Sequence, residues 1–276
     1  MKKEMMNVIH QWVRRSSRRV RHAMVPFGIL AMWVTNGLAQ PSAQSTFKSA
    51  AEASQNLFQA VQGNQAKTIA NILGGPTELA ASGDVAQDKL DRALFVQKYS
   101  QMHRLGREAD GSMTLYIGAE NWPFPIPLVE KNGAWRFDAD AGQKEVLFRR
   151  IGENELTAID ICHQLVAAEK QVRANPNAKA QLDSRLASLV AAVASRSASG
   201  QPVLIQGYYF RVAAKHPDAD FAFIAYPAEY RSSGVKTFLV TDQDIVHQKD
   251  LGANTRAQAS TMPADYKRGW TGADEK

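Results

Sequence analysis

A single cysteine in 276 residues is the first constraint. Cys162 has no partner within the chain, so no intrachain disulfide can staple the fold, and stability has to come from packing. Cys162 itself sits in a helical pattern beside Ile159, Ile161, Leu165 and Val166 and reads as a small buried apolar residue. Histidine is nearly as scarce. Beyond position 39 only His103, His163, His216 and His247 occur, without His-x-His or His-x-x-x-His spacing, which disfavours a histidine-built metal site. Gly-x-Ser-x-Gly, phosphate-loop and dinucleotide-binding patterns are all missing, which removes the common motif-borne routes to hydrolase and nucleotide chemistry.

Charge of one sign is also lacking once the start of the chain is set aside. The net charge of +6 comes from residues 1–39, which hold seven of the 33 basic residues and one of the 27 acidic ones, leaving 26 of each. A balanced remainder has no net field to draw in nucleic acid. The start itself reads as an export signal: a basic segment, the apolar run Ala23 to Val34, then Gly37 and Ala39 at cleavage-site spacing. Cleavage is expected after Ala39, with Ala43 as the alternative. The apolar run is shorter than the ~20 residues of a spanning helix and Pro26 interrupts it, so the mature protein is expected to have no membrane span and to be periplasmic or secreted.

What is present suggests an α+β protein. A flexible leader over 40–46 precedes a helical and β-hairpin domain over 47–197. Ser49-Ala50-Ala51-Glu52 is a capping box opening a helix that Gly63 stops. A second helix spans Gln65 to Leu73, and a third runs to about Arg104, burying Leu90, Leu94, either Val96 or Phe95, and Tyr99. From Ser112 the residues alternate as a half-buried strand, and Phe124 to Glu130 reads as another, confined to an edge or a bulged position by Pro123, Pro125 and Pro127. Lys131-Asn132-Gly133 is a hairpin turn into Ala134 to Asp138. A long helix follows from Ala141 to Ala174, and an alanine-rich one from Ala178 to Ser195.

The stretch Ser195 to Gln201 has a linker's composition. Four strands then read as an antiparallel meander over 202–252: Gly207 to Ala214, Phe221 to Tyr226, Val235 to Thr241 and Ile245 to Lys249. One face needs a helix to bury it, and the long helix is the candidate. The expected architecture is therefore N-terminal helices over a small curved antiparallel sheet, then a long helix packed on a four-stranded antiparallel meander. A polar tail over 253–276 is expected to fray.

The strings ENWPFPIPLV, NGAWRFDADAGQKEVLFRRIGENELTAI, GYYFRV and AYPAEYRSSGVKTFLVTDQDIVHQKDLG fall in order between Phe47 and Gly252. Through them the chain resembles a bacterial exported family catalogued as domain-of-unknown-function family 2950. The resemblance implies a periplasmic or envelope-associated protein and assigns no activity, cofactor or catalytic residues. The family usually carries a longer Gly- and Pro-rich segment before the GYYFR strand, so any site built from that segment would be absent.

Asp160 and His163 stand at i, i+3 on the long helix and, near Arg149 and Arg150, are the acid-base candidates for a hydrolase or other enzyme. A surface helix pair explains the same spacing. Arg149 and Arg150 suit an anionic ligand or, structurally, ion pairs to Asp138 and Asp140. Trp122, Trp135, Tyr208 and Tyr230 suit glycan or peptide binding if exposed and belong to the core otherwise. No cofactor and no metal site is expected. The leading expectation is a non-catalytic binding or assembly module that uses an edge strand or an aromatic groove to hold an envelope protein, peptide or glycan.

Overall fold

The computed structural model describes residues 44–75, 85–175, 188–193, 195, 201–213, 219–263 and 269–273. They form two compact units, divided between Leu147 and Phe148. Residues 1–43, with the expected export signal, lie outside the described ones, as do 176–187 of the alanine-rich helix and 196–200 of the expected linker.

The first unit begins with α1 (Ala50–Gln62) and α2 (Ala66–Leu73). The Ser49 hydroxyl accepts from the Glu52 amide, and the Glu52 carboxylate accepts from the Lys48 amide, so the capping-box residues satisfy amides that a helix start otherwise leaves open. The last residues of the leader are fastened. Gln44 donates to the carbonyls of Ile72, Leu73 and Phe137, tying the end of α2 to a strand. α3 (Val85–Gln101) stops earlier than its composition suggests, because Gly118 donates back to the carbonyls of Lys98 and Met102. The chain turns at once into β1 (His103–Arg107), a strand that the helical reading to Arg104 absorbed. The expected burial of Leu90 also fails. Residues 88, 91, 95 and 99 share the inner side of α3 at i, i+3, i+7 and i+11, so Asp88, Asp91 and Tyr99 are buried while Leu90 is 64% exposed.

β1 pairs with β2 (Met113–Ile117), which pairs on its other edge with both β3 (Trp122–Pro123) and β4 (Leu128–Lys131). Of the expected strand from Phe124 to Glu130 only Leu128 to Glu130 is strand, as part of β4, and β3 ends before the expected span begins. Pro123, Pro125 and Pro127 have no amide to donate, and the ladder lapses between Phe124 and Pro127. Asn132 and Gly133 both take positive φ, 54° and 75°, and close the two-residue turn from β4 into β5 (Ala134–Phe137). Leu57, Ile69, Leu73, Leu115, Ile126, Leu128 and Phe137 form this unit's core, with the half-buried Trp122 and Trp135 packed against it.

α4 (Ala139–Ala174) is a single helix of 36 residues. It starts on the Asp138 carboxylate, which accepts from the Ala141 amide at 3.0 Å. That contact corrects the reading of Asp138 as an ion-pair partner for Arg149 and Arg150. Along one continuous helix, eleven residues separate Ala139 from Arg150 by about 16 Å.

In the second unit the meander gains a strand on each edge. Its order is β11-β10-β9-β8-β7-β6, all antiparallel, for β6 (Val203–Ile205), β7 (Tyr208–Val212), β8 (Ala222–Pro227), β9 (Lys236–Thr241), β10 (Val246–Asp250) and β11 (Thr271–Gly272). Alternation sorts the residues onto two faces. Tyr208, Phe210, Phe223, Ala225, Phe238 and Val240 meet Ala158, Ile161, Cys162, Leu165 and Val166 of α4, together with Val190 and Val193 of the helical residues 188–193. Ile224, Tyr226 and Leu239 face the other way and are covered by Ala259 and Met262. β8 is therefore buried on both faces, which explains its unbroken apolar run.

The cover on the second face comes from the stretch read as a fraying tail. Thr255–Thr261 is a short helix, α5, and Arg211 of β7 holds its end: Nε and Nη2 donate to the Ala259 carbonyl at 2.9 and 2.7 Å, and Nη2 to Met262 at 2.6 Å. A cation at a helix C-terminus meets both the open carbonyls and the negative end of the dipole. Burial lowers the Arg211 pKa, and the Tyr226 hydroxyl opposes that shift. Replacing Arg211 by methionine should cost about 2–3 kcal/mol, because buried carbonyls lose a charged donor. Denaturant unfolding should show the loss, and hydrogen exchange should rise first in residues 255–262. Unchanged exchange there would refute the clasp.

Candidate functional site

The polar residues of α4 collect where its buried face runs beyond the sheet. Residues 168, 165, 161, 158, 154 and 150 follow one another at three- and four-residue steps. The series is apolar from Ala168 to Ala158 and then becomes Asn154 and Arg150. At that end of the sheet lie the β6–β7 turn at Gln206 and Gly207 and the β8–β9 connection over 228–235.

Asn154 is buried and donates to the Ser233 carbonyl at 2.8 Å. Glu155 Oε1 accepts from two successive amides, Val235 at 2.8 Å and Lys236 at 2.9 Å. A carboxylate taking two backbone amides is a strong, charge-assisted arrangement, and it sets where β9 begins. Tyr208, fully buried, donates its hydroxyl to the Lys236 carbonyl at 2.9 Å, with Glu155 Oε1 at 3.5 Å. The fit leaves no slack at two glycines. A Cβ on Gly234 would lie 2.1 Å from the Tyr208 hydroxyl, and one on Gly207, whose φ is +79°, would lie 2.9 Å from Asn154 Nδ2.

Arg150 sits one turn before Asn154. Its Nε is buried and has no acceptor among the described residues. Burial pushes the guanidinium below its ordinary value, and the Glu229 carboxylate offsets part of that push. Arg149, beside it, is half-buried. On the connection itself, Tyr230 donates to Asp250 Oδ2 at 3.1 Å, and Arg231, at φ +60°, lies over the Tyr230 ring at 5.4 Å.

The acid-base candidates are engaged separately. The Asp160 carboxylate accepts from Gln164 at 2.9 Å along its own helix. His163 Nδ1 lies 2.8 Å from Asp244 Oδ1 in the β9–β10 turn, both side chains being a third or more exposed. The carboxylate that His163 meets is thus Asp244. Of the aromatics, Tyr208 is core, Tyr230 is half-buried beside Asp250, and Trp122 and Trp135 belong to the first unit. Trp122 stands edge-on to Phe124 at 6.4 Å, and the Trp135 backbone exchanges two hydrogen bonds with Phe47. Cys162 is buried, and desolvation raises its pKa, so the thiol stays protonated and unreactive. Among the described residues no group of three or more His, Cys, Asp or Glu is placed to hold a metal ion.

Sequence reasoning passed over Glu229, and it took Asn154 and Glu155 only as members of the polar tract that begins at Arg149, without partners of their own. A buried-face asparagine in line with Ile161 and Leu165 was the available signal, because an amide on such a face needs a partner.

These features define an α+β protein of two units, each with an antiparallel sheet and helices against it, the second closed by polar clasps at a sheet end. The sequence profile of the family described as "Protein of unknown function (DUF2950)" matches residues 44–181 and 174–272, and the chain belongs to that family. No curated protein and no solved structure matches it. No helix among the described residues is long and apolar enough to cross a membrane.

Two outcomes follow from this geometry. Replacing Glu155 by alanine should destabilise the protein by about 3 kcal/mol, since two amides lose a charged acceptor, while glutamine, which keeps one acceptor oxygen, should cost about 1 kcal/mol. Equal losses in chemical denaturation would refute the role of the charge. The Tyr208 phenol is raised from its ordinary 10.0, first by burial and then by the Glu155 charge. A folded value above the unfolded one means that its contribution to stability is fully present below pH 10 and is lost as pH rises above it. Stability measured from pH 8 to 11 should fall less steeply in Tyr208→Phe than in the wild type.

Proposed function

We propose that the protein is an exported, periplasmic or envelope-associated binding or assembly module with no chemistry of its own. The observation that carries this reading is an apolar stripe on the outer side of α4. Phe148 and Leu156 are 69% and 61% exposed, eight residues apart and so on one side of the helix. Gly152 lies between them, where a Cβ would meet nothing within 4 Å. Large apolar side chains held in line on a rigid helix, with a glycine-wide recess between them, suit a protein partner's apolar side chain. The second support is the engagement of the polar candidates: Asp160 with Gln164, and His163 with Asp244 in an exposed pair. The export signal read over residues 1–39 supplies the address.

Site-specific photo-crosslinking in cells tests the reading. With the crosslinker at position 148 or 156, the chain should be recovered from the periplasm cut after Ala39 and joined to a partner. Phe148→Ser with Leu156→Ser should abolish competition for that partner while leaving stability within about 0.5 kcal/mol, as expected of exposed positions. A chain retaining residues 1–39 in the cytoplasm, or no adduct from either position, would overturn it.

A further inference from the structure

We propose that the free edge of β1, in the first unit, takes up an acidic extended segment of a protein partner as an added antiparallel strand. This surface is separate from the α4 stripe of the proposed function and goes beyond it, since Phe148 and Leu156 belong to the second unit.

β1 ends its sheet. The order β1-β2-β4-β5 gives it one neighbour, and all five of its residues pair with β2. The hairpin fixes which of its peptide groups face outward. The Glu108 amide donates to the Ser112 carbonyl, so Glu108 turns toward β2, and by the alternation of an antiparallel ladder Gly106 and Arg104 do the same. Leu105 and Arg107 therefore turn their N–H and C=O groups to the open side. The partner strand agrees: Leu115, opposite Leu105, accepts from the Phe124 amide on its far side. No hydrogen bond engages the outward groups of Leu105 and Arg107 among the described residues. The other sheet ends are closed or short. Phe47 exchanges two backbone bonds with Trp135 of β5, β6 is three residues long behind Pro202, and β11 has two residues.

The side chains of β1 select the charge of the guest. Arg104 is exposed; its Nε donates to Asn121 Oδ1 at 2.6 Å and its guanidinium lies 4.1 Å from the centre of the Tyr116 ring, so neutral groups hold it in place. Arg107 is exposed and forms no ion pair among the described residues. The carboxylates of this hairpin and of the turn after it are engaged elsewhere: Glu108 accepts from Tyr116, Asp110 from Ser112 and Glu120 from Lys98. Arginine on an edge repels a second basic strand and attracts an acidic one. A second copy of the chain is the wrong guest for that reason, because pairing centred on Leu105 would crowd four arginines onto one seam and set each Arg107 opposite a His103.

Gly106, at the middle of the strand, suits close approach of another backbone. The Tyr116 ring occupies the place of its missing side chain, where a Cβ would lie 2.8 Å from Tyr116 Cε2. An antiparallel guest then carries two acids three residues apart, opposite Arg107 and Arg104, with an apolar residue opposite Leu105.

The test adds the capped peptide Ser-Glu-Thr-Val-Glu-Ser to the full chain and follows the backbone amides by nitrogen-15 NMR and hydrogen exchange. Without peptide, the amides of Leu105 and Arg107 should exchange faster than those of Arg104 and Gly106. With it they should shift saturably and become protected, and Arg107→Glu should weaken binding about tenfold. Two control peptides should give no saturable response: the same peptide N-methylated at valine, which lacks the amide facing Leu105, and Ser-Lys-Thr-Val-Lys-Ser. Arg107→Pro, which deletes one outward amide at an exposed position and no bond to β2, should lose the response and keep the wild-type circular dichroism. An equal response to either control peptide, or no saturable shift at Leu105 and Arg107, would overturn the proposal. So would protection of those amides that rises with protein concentration in the absence of peptide, the sign of pairing between copies. The two readings fail separately: loss of the peptide response leaves crosslinking from positions 148 and 156 intact, and absence of those adducts leaves the peptide response intact.

Discussion

One carboxylate oxygen of Glu155 accepts the amides of Val235 and Lys236, and the second unit is arranged around that pair of bonds. They fix where β9 starts, and a strand's starting residue decides which of its side chains face the helix. Shifted by one position, Phe238 and Val240 would leave the core they share with α4, and Leu239 would enter it. The neighbours Asn154 and Tyr208 reinforce the same register from the Ser233 and Lys236 carbonyls. A charged acceptor at this spot is tolerated because each of its short contacts is a donor, which is the condition for burying charge at modest cost.

The second face of the sheet obeys the same logic with the opposite sign. α5 has seven residues, too short to be stable on its own, and its cover over Ile224, Tyr226 and Leu239 persists through tertiary contacts. Arg211 supplies the polar half of those contacts at the helix end, and Ala259 supplies the apolar half. A half-buried cation on one face of the sheet and a half-buried anion at its end are both satisfied by backbone groups. The unit therefore places charge where irregular backbone needs partners, and apolar bulk where regular strands do not.

Much of this was legible from residue patterns. The capping box at Ser49, the Asn132-Gly133 turn, burial of Cys162 and the packing of the long helix on the meander all follow from local rules, because each depends on residues a few positions apart or on simple periodicity. The losses came where a distant group intervened. α3 ends at Gln101 because Gly118 caps it from another part of the chain, and β1 follows for that reason. The tail folds because Arg211, some fifty residues earlier, holds it. Of the candidate site, the Arg149-Arg150 pair stood out by charge alone, and the partner assigned to it, Asp138, caps the helix instead.

Composition and order alone therefore determined the α+β class, the dependence on packing rather than disulfides, the balanced charge beyond residue 39 and the family. These are properties of residue type and spacing. Only tertiary structure decided which side of α4 carries Arg150, that His163 meets Asp244 and not Asp160, and that the final polar stretch covers a sheet. Hydrogen-bond partners eighty residues apart, such as Glu155 and Val235, leave no trace in local sequence, and such partners decide whether a charged residue is a strut or a site.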